Sequence, residues 1–211
     1  EAREVKFDVL YEDKAFMAIN KAPGIAVHPV SDTDEQTTIA NGVLAYLGEK
    51  ARAIGSPERP CIVHRLDKET SGVLLIAKTA KAYEGLKAIF ANREIEKEYL
   101  AIVRGTPDLL AGSCVEPIAR HPKNPLRMQI VEEGLGREAR TDWERVAVDA
   151  EAKVGLVRCF LHTGRTHQAR VHLSHLGYPV LGDESYGYRG SFKGRILLHA
   201  QRVALPHPIT G

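Results

Sequence analysis

The sequence predicts the α+β class, with a mixed, mostly antiparallel sheet flanked by helices. Three observations point there. Apolar runs of strand length outnumber the amphipathic stretches, they follow one another in hairpin-like succession, and helical periodicity is confined to three segments between Pro- and Gly-bearing turns. No internal repeat, low-complexity tract or linker interrupts them.

Taken in order, DVLYEDKAFMAINKAPG at 8–24 holds two short apolar runs around an acidic turn and ends at Pro23-Gly24, the pattern of an edge hairpin. TTIANGVLAYLG at 37–48 spaces Ile39, Val43 and Leu47 by four, with Thr37 or Thr38 as cap and Gly48 as stop, so a short helix is expected. CIV at 61–63 and VLLIA at 73–77 are continuous apolar runs and predict two buried strands. Thr79 caps a helix over 79–93 in which Tyr83, Leu86 and Phe90 share a face, and EYLAIVRG at 98–105 follows as a strand. The segment 106–127, rich in Pro and Gly, predicts a loop that ends in the basic stretch RHPKNPLR. Strands are expected at 127–131, 141–148 and 154–161. Thr163-Gly164 then opens a helix through 176, with Ala169, Leu173 and Leu176 as its core stripe and Arg170 on the flank. A Gly/Tyr-rich loop at 181–194 precedes a last strand, RILLHAQRVAL.

Composition narrows the function classes. A chain of 211 residues, 44% hydrophobic, can bury a sizeable core. No apolar run reaches the roughly 20 residues of a membrane-spanning helix, and EAREVKFDV lacks the order of a signal peptide. The expectation is a cytoplasmic protein without a membrane partner. Cys61, Cys114 and Cys159 are widely spaced and fit buried free thiols rather than a disulfide framework or zinc site. The net charge is only +2, which argues against a protein held to nucleic acid mainly by bulk charge. Its distribution is uneven: residues 1–119 carry 15 Lys and Arg against 18 Asp and Glu, whereas 120–211 carry 14 against 9. An RNA-facing second half and ordinary surface variation both fit that shift.

Chemistry concentrates in two stretches. In HRLDKETSG at 64–72, Asp67 stands between an apolar run and a Ser71-Gly72 turn, where a carboxylate can be held at a cleft wall with Arg65 nearby. A turn Asp capping its own backbone fits the same letters. The loop departs from the kinase H-R-D motif by an inserted Leu, and the chain has no Gly-rich phosphate loop. In HTGRTHQARVHLSH at 162–175 four histidines invite a metal reading, but only His172 and His175 have helical spacing and no third ligand follows. Tyr99, on its own, reads as a half-buried sheet aromatic.

The order of motifs carries further. NKAPGIAVHP at 20–29, HRLDKETSGVLLIAKT at 64–79, KEYLAIVRG at 97–105, HTGRTHQARVHLSHLGYPVLGDESYG at 162–187 and RILLHA at 195–200 together resemble the RluA family of pseudouridine synthases. That resemblance implies the pseudouridine synthase fold, its sheet bisected by a catalytic cleft. It implies one catalytic domain over 1–211 in two closely packed lobes, without a separate N-terminal RNA-binding domain in this chain. It also implies isomerisation of uridine in structured rRNA (large subunit) or tRNA, by a monomer with no cofactor or metal. By motif, Asp67 corresponds to the catalytic aspartate, Tyr99 to the tyrosine stacked on the target base and Arg170 to the arginine paired with the aspartate. Arg65 corresponds to the residue that enters the RNA stack, Arg165, Thr166 and His167 to phosphate or sugar contacts, and Leu198 to a wall of the uracil pocket. The attack of the aspartate on the sugar, on ring carbon 6, or through an unsaturated sugar is open. A non-catalytic RNA-binding or ribosome-assembly protein on the same fold is the alternative. The usual N-K-P-x-G appears here as Asn20-Lys21-Ala22-Pro23-Gly24, with the proline one place later.

Overall fold

The computed structural model describes residues 1–29, 36–57 and 59–211, which form two compact units, Glu1–Ile95 with Val203–Gly211 and Glu96–Arg202. The class is α+β with mostly antiparallel strands, as the sequence predicts.

In the first unit, β1 (Val9–Glu12) and β2 (Phe16–Lys21) form the expected hairpin, and β2 pairs antiparallel with β5 (Ser71–Ala77) from Phe16 opposite Ala77 to Lys21 opposite Gly72. The hairpin turn is fixed by Asp13, whose carboxylate accepts the N–H groups of Ala15 and Phe16 at 2.7 and 2.9 Å. The later proline of NKAPG leaves the turn intact, with Gly24 taking φ +85°, a conformation that only glycine adopts without strain. Helix α1 (Ile39–Leu47) starts at a capping box: the Asn41 N–H donates to Thr38 Oγ1, and Asn41 Oδ1 accepts the Thr38 N–H. A 3-10 turn at Glu49–Ala53 and the short pair β3 (Gly55–Ser56) and β4 (Arg59–Pro60) follow. The strand predicted at 61–63 does not form. Cys61 takes φ +67°, and its carbonyl accepts the Ala77 N–H, but the pairing with β5 is limited to one antiparallel bridge, Ile62 to Ile76, too little for a strand. Helix α2 (Ala80–Ala91) is capped by Thr79 and lies on β5. It buries Ala82, Leu86 and Ile89, with Tyr83 and Phe90 half-buried on the flanks of that face.

The second unit holds β6 (Glu96–Arg104), β7 (Ala111–Cys114), β8 (Ile118–Arg120), β9 (Met128–Ile130), β10 (Thr141–Asp149), β11 (Val154–Leu161), most of β12 (Leu198–Ala204) and α3 (Gln168–His175), which packs against β9 and β10. The sheet order is β12-β6-β11-β10-β7, and β8 pairs with β9 as a separate hairpin. Strands β7 and β8 correct the reading of 106–127 as loop: AGSC and IAR carry little apolar signal, and the ladder to β10 and the hairpin to β9 decide their state. Strand β11 alternates between buried and half-buried positions, and its buried face packs Val157 and Cys159 with Val103, Trp143, Leu173 and Val180. All three cysteines are buried free thiols. Burial pushes Cys61 up to about 11 and Cys159 up to about 12, so neither serves as a nucleophile near neutral pH.

Candidate active site

Asp67 and Arg65 lie in the first unit, on the stretch between the Ile62 bridge and β5. That stretch has no ladder of its own, so its position depends on side chains reaching it from elsewhere. His64 supplies one tie. Its Nε2 accepts the Leu75 N–H at 2.8 Å and its ring stacks on Phe90, with centroids 4.8 Å apart. Lys21 supplies another: its ammonium, in a residue only 1% exposed, donates to the carbonyls of Ala22 (2.8 Å), Ile25 (2.9 Å) and Lys68 (3.0 Å). The Lys68 carbonyl also accepts the Gly24 N–H at 2.8 Å, and the Thr70 N–H closes back on the Asp67 carbonyl at 3.1 Å. Asp67 is thus half-buried at the start of a turn clamped to the NKAPG segment.

Arg65 is exposed, with Nη1 3.4 Å from His28 Nε2. His28 Nδ1 lies 2.9 Å from the Pro29 carbonyl, so Nδ1 carries the proton and Nε2 accepts from the guanidinium. Burial depresses the His28 pKa, and the charges of Arg65 and Arg59 act in the same direction. The imidazole is therefore kept neutral and able to accept.

Tyr99, Arg165, Thr166, His167, Arg170 and Leu198 lie in the second unit. Tyr99 is half-buried on β6, opposite Cys159, and packs at the edge of the cluster that contains Leu198, which is 3% exposed. Two residues before Tyr99, Lys97 Nζ donates to the Thr163 carbonyl at 2.9 Å, fastening β6 to the entrance of α3.

Helix α3 starts at Gln168, three residues later than the sequence suggests, because His167 takes a left-handed conformation at φ +56°. No side chain caps this end; Gln168 organises it instead. Its Oε1 accepts from Thr163 Oγ1 (2.6 Å) and the Arg165 N–H (3.1 Å), while Nε2 donates to the Arg140 carbonyl and Thr141 Oγ1. Arg165 Nε donates to the Glu138 carbonyl at 2.8 Å, and Thr166 is exposed. His167 Nδ1 is 2.7 Å from the Tyr186 hydroxyl. The helix is buried almost all round, and each buried polar side chain on it has partners. His172 places Nδ1 2.8 Å from Thr141 Oγ1 and Nε2 3.0 Å from the Glu116 carbonyl, so both ring nitrogens are engaged by protein and the histidine reads as a core group, not a metal ligand.

Arg170 forms a two-pronged pair with Asp183, Nε to Oδ2 at 2.7 Å and Nη2 to Oδ1 at 3.0 Å, with both side chains buried. Its guanidinium lies 4.9 Å from the Tyr186 ring centre. Sequence reasoning missed Asp183, Tyr186, Gln168, Lys21 and the role of His64. For the first two a signal was present in GDESYG, an acid and a tyrosine bracketed by Gly182 and Gly187, both at positive φ.

Residues 15–175 match the family model for RNA pseudouridylate synthase. The whole chain aligns at 38% identity with 68% of ribosomal large subunit pseudouridine synthase D of Zymomonas mobilis, and at 38% with 64% of an uncharacterized RNA pseudouridine synthase of Synechocystis. It thus spans about two thirds of the length of these relatives. Among solved structures, human RNA pseudouridylate synthase domain containing 1 superposes with TM-score 0.76 at 27% identity, over 96% of this chain and 79% of that one. The chain belongs to the RNA pseudouridylate synthase family, isomerases that act on RNA.

Proposed function

We propose that the chain is the catalytic part of an enzyme that converts specific uridines in structured RNA to pseudouridine, with Asp67 as the reacting carboxylate. The bond between C1′ and N1 of the uridine breaks, the uracil turns, and C1′ joins C5. C5 gives up its proton and N1 gains one. No atom is lost to the protein, so the reaction needs a carboxylate, a surface on which the base can turn, and a way to expose the base. Tyr99 supplies the surface, since an aromatic ring under a base contributes roughly 1 to 3 kcal/mol. Arg170 is the paired guanidinium. Arg65, planar and always charged, fills the stack when the uridine leaves it, which offsets part of the few kcal/mol that flipping costs. Arg165, Thr166 and His167 contact the RNA backbone, and Leu198 backs the uracil pocket.

The observation that carries this reading is the clamped turn at Asp67: a half-buried carboxylate on a segment fixed by a buried lysine and a ring-stacked histidine. Ribosomal RNA is the favoured substrate, because three relatives at 36 to 38% identity are named as ribosomal large subunit pseudouridine synthases; transfer RNA is the second. The enzyme acts as a cytoplasmic monomer. Among the described residues no helix is long and apolar enough to cross a membrane.

The test is release of tritium from RNA labelled at C5 of uridine. Wild type releases it, and Asp67→Asn lowers the rate by on the order of 10⁴-fold or more with its fold and RNA affinity retained. Activity in Asp67→Asn would overturn the assignment. RNA binding without tritium release by wild type would favour the non-catalytic alternative.

A further inference from the structure

The two-pronged contact between Arg170 and Asp183 spends one edge of the guanidinium, and Tyr186 covers a face of it. Two parallel N–H···O contacts remove rotation of the planar group about its own axis, and the ring restricts tilt. Tyr186 is itself fixed. Its hydroxyl accepts the Met128 N–H at 2.8 Å and pairs with His167 Nδ1, and its carbonyl accepts Ser174 Oγ at 2.5 Å. Asp183 is held by backbone: its carbonyl accepts the N–H groups of Tyr186 and Tyr188 at 3.1 Å each, and its own N–H donates to the Val180 carbonyl. The loop is tight enough that a Cβ on Gly182 would stand 2.3 Å from the Arg195 carbonyl oxygen. Such a buried ion pair adds little stability over apolar side chains of the same volume, so stability alone is a weak reason for this helix to keep one.

We propose that Asp183 is a positioning residue for the isomerisation, acting through Arg170 by fixing the plane and direction of its guanidinium. The inference rests on the function proposed above, in which Arg170 serves the reacting carboxylate.

Asp183→Asn keeps the shape of the side chain while removing its charge and one acceptor. Single-turnover rates at saturating enzyme are expected to fall about 10- to 100-fold, the size of effect a small misplacement of a catalytic group produces. The RNA Kd stays within about twofold, since no RNA contact is assigned to Asp183. In an Arg170→Met background, Asp183→Asn adds no further loss. An unchanged rate, an equal loss of affinity, or losses that add in the double variant would overturn the inference. If Asp183→Asn does not fold, ¹⁵N-arginine spectra of the wild type decide: an Arg170 Nε–H protected from exchange supports a fixed guanidinium, and a freely exchanging one refutes it. An inactive wild type or a fully active Arg170→Met would fail the proposed function. An active wild type that needs Arg170 but ignores Asp183 fails this inference alone.

Discussion

Lys21→Met tests how the reacting segment is held. The substitution preserves most of the volume of a side chain that is buried but removes three donors, to the carbonyls of Ala22, Ile25 and Lys68. Lys68 keeps the Gly24 N–H, so only two carbonyls lose this donor outright. A buried acceptor left without a donor costs about 1 to 3 kcal/mol. Ala22 is exposed and its carbonyl can take water, whereas Ile25 is half-buried, so the lower half of the range applies to the first. Met also avoids the cost of burying an ammonium. The net is about 2 to 3 kcal/mol of local stability, or roughly 30- to 150-fold in the opening equilibrium of the turn. Amide hydrogen exchange reads this directly at Gly24 and Thr70, whose N–H groups close on Lys68 and Asp67. Their protection should fall by that factor while α3 amides change little, and the isomerisation rate should fall with them. Unchanged protection at Gly24 and Thr70, or an equal loss throughout both units, would refute the claim that Lys21 clamps the turn.

Three other outcomes are expected. His64→Leu keeps an apolar contact with Phe90 but leaves the Leu75 N–H without its acceptor, costing about 1 to 3 kcal/mol in urea unfolding; an unchanged midpoint contradicts the tie. Gly85→Ala, which in an open helix stabilises by about 1 kcal/mol, should here destabilise by about 1 to 3, because its Cβ would stand 2.3 Å from the Pro208 carbonyl oxygen; a raised Tm refutes this. Burial depresses the pKa values of His172 and His28, so the unfolded chain takes up protons that the folded chain refuses, and stability falls as pH drops below about 6.5. The carboxyls of Asp142, held down chiefly by Arg140, and of Asp13, where N–H donors from Phe16 and Ala15 and the His207 ring outweigh burial, contribute above about pH 4 and are lost below it. Urea midpoints followed from about pH 8 down to about pH 2 should decline in that order; a flat profile contradicts both assignments.

Much of the fold was legible because local and long-range preferences agree. Thr38 and Thr79 cap the helices they were expected to cap, and the continuous apolar run VLLIA is a buried strand paired along its length with β2. Where they disagree, the sequence misled. CIV has strand composition, but Cys61 takes a positive φ and the segment makes a single bridge to β5, not a ladder. AGSC has no strand signal and becomes a strand through its ladder to β10. The start of α3 was misplaced because the end is organised by Gln168 from inside the helix, which no capping rule anticipates. Asp67, Tyr99 and Arg170 are proposed for the site through motif order, which carries information that spacing alone does not. Their supports were not: Asp183 is 13 residues from Arg170, and Lys21 is 47 from Lys68. Buried polar contacts at such separations leave no periodic trace. The basic surplus after residue 120 was equally uninformative, since Arg140 and Arg158 are engaged with Asp142, Glu98 and Glu144 on the protein itself.

The central claim, a uridine isomerase that depends on Asp67, is tested most directly by site-by-site pseudouridine mapping of total RNA from cells lacking the gene and from the same cells complemented with wild type or Asp67→Asn. The account predicts that one or more sites, in ribosomal RNA first, disappear without the gene, return with wild type and stay absent with Asp67→Asn. Sites that persist without the gene, or that Asp67→Asn restores, would contradict it.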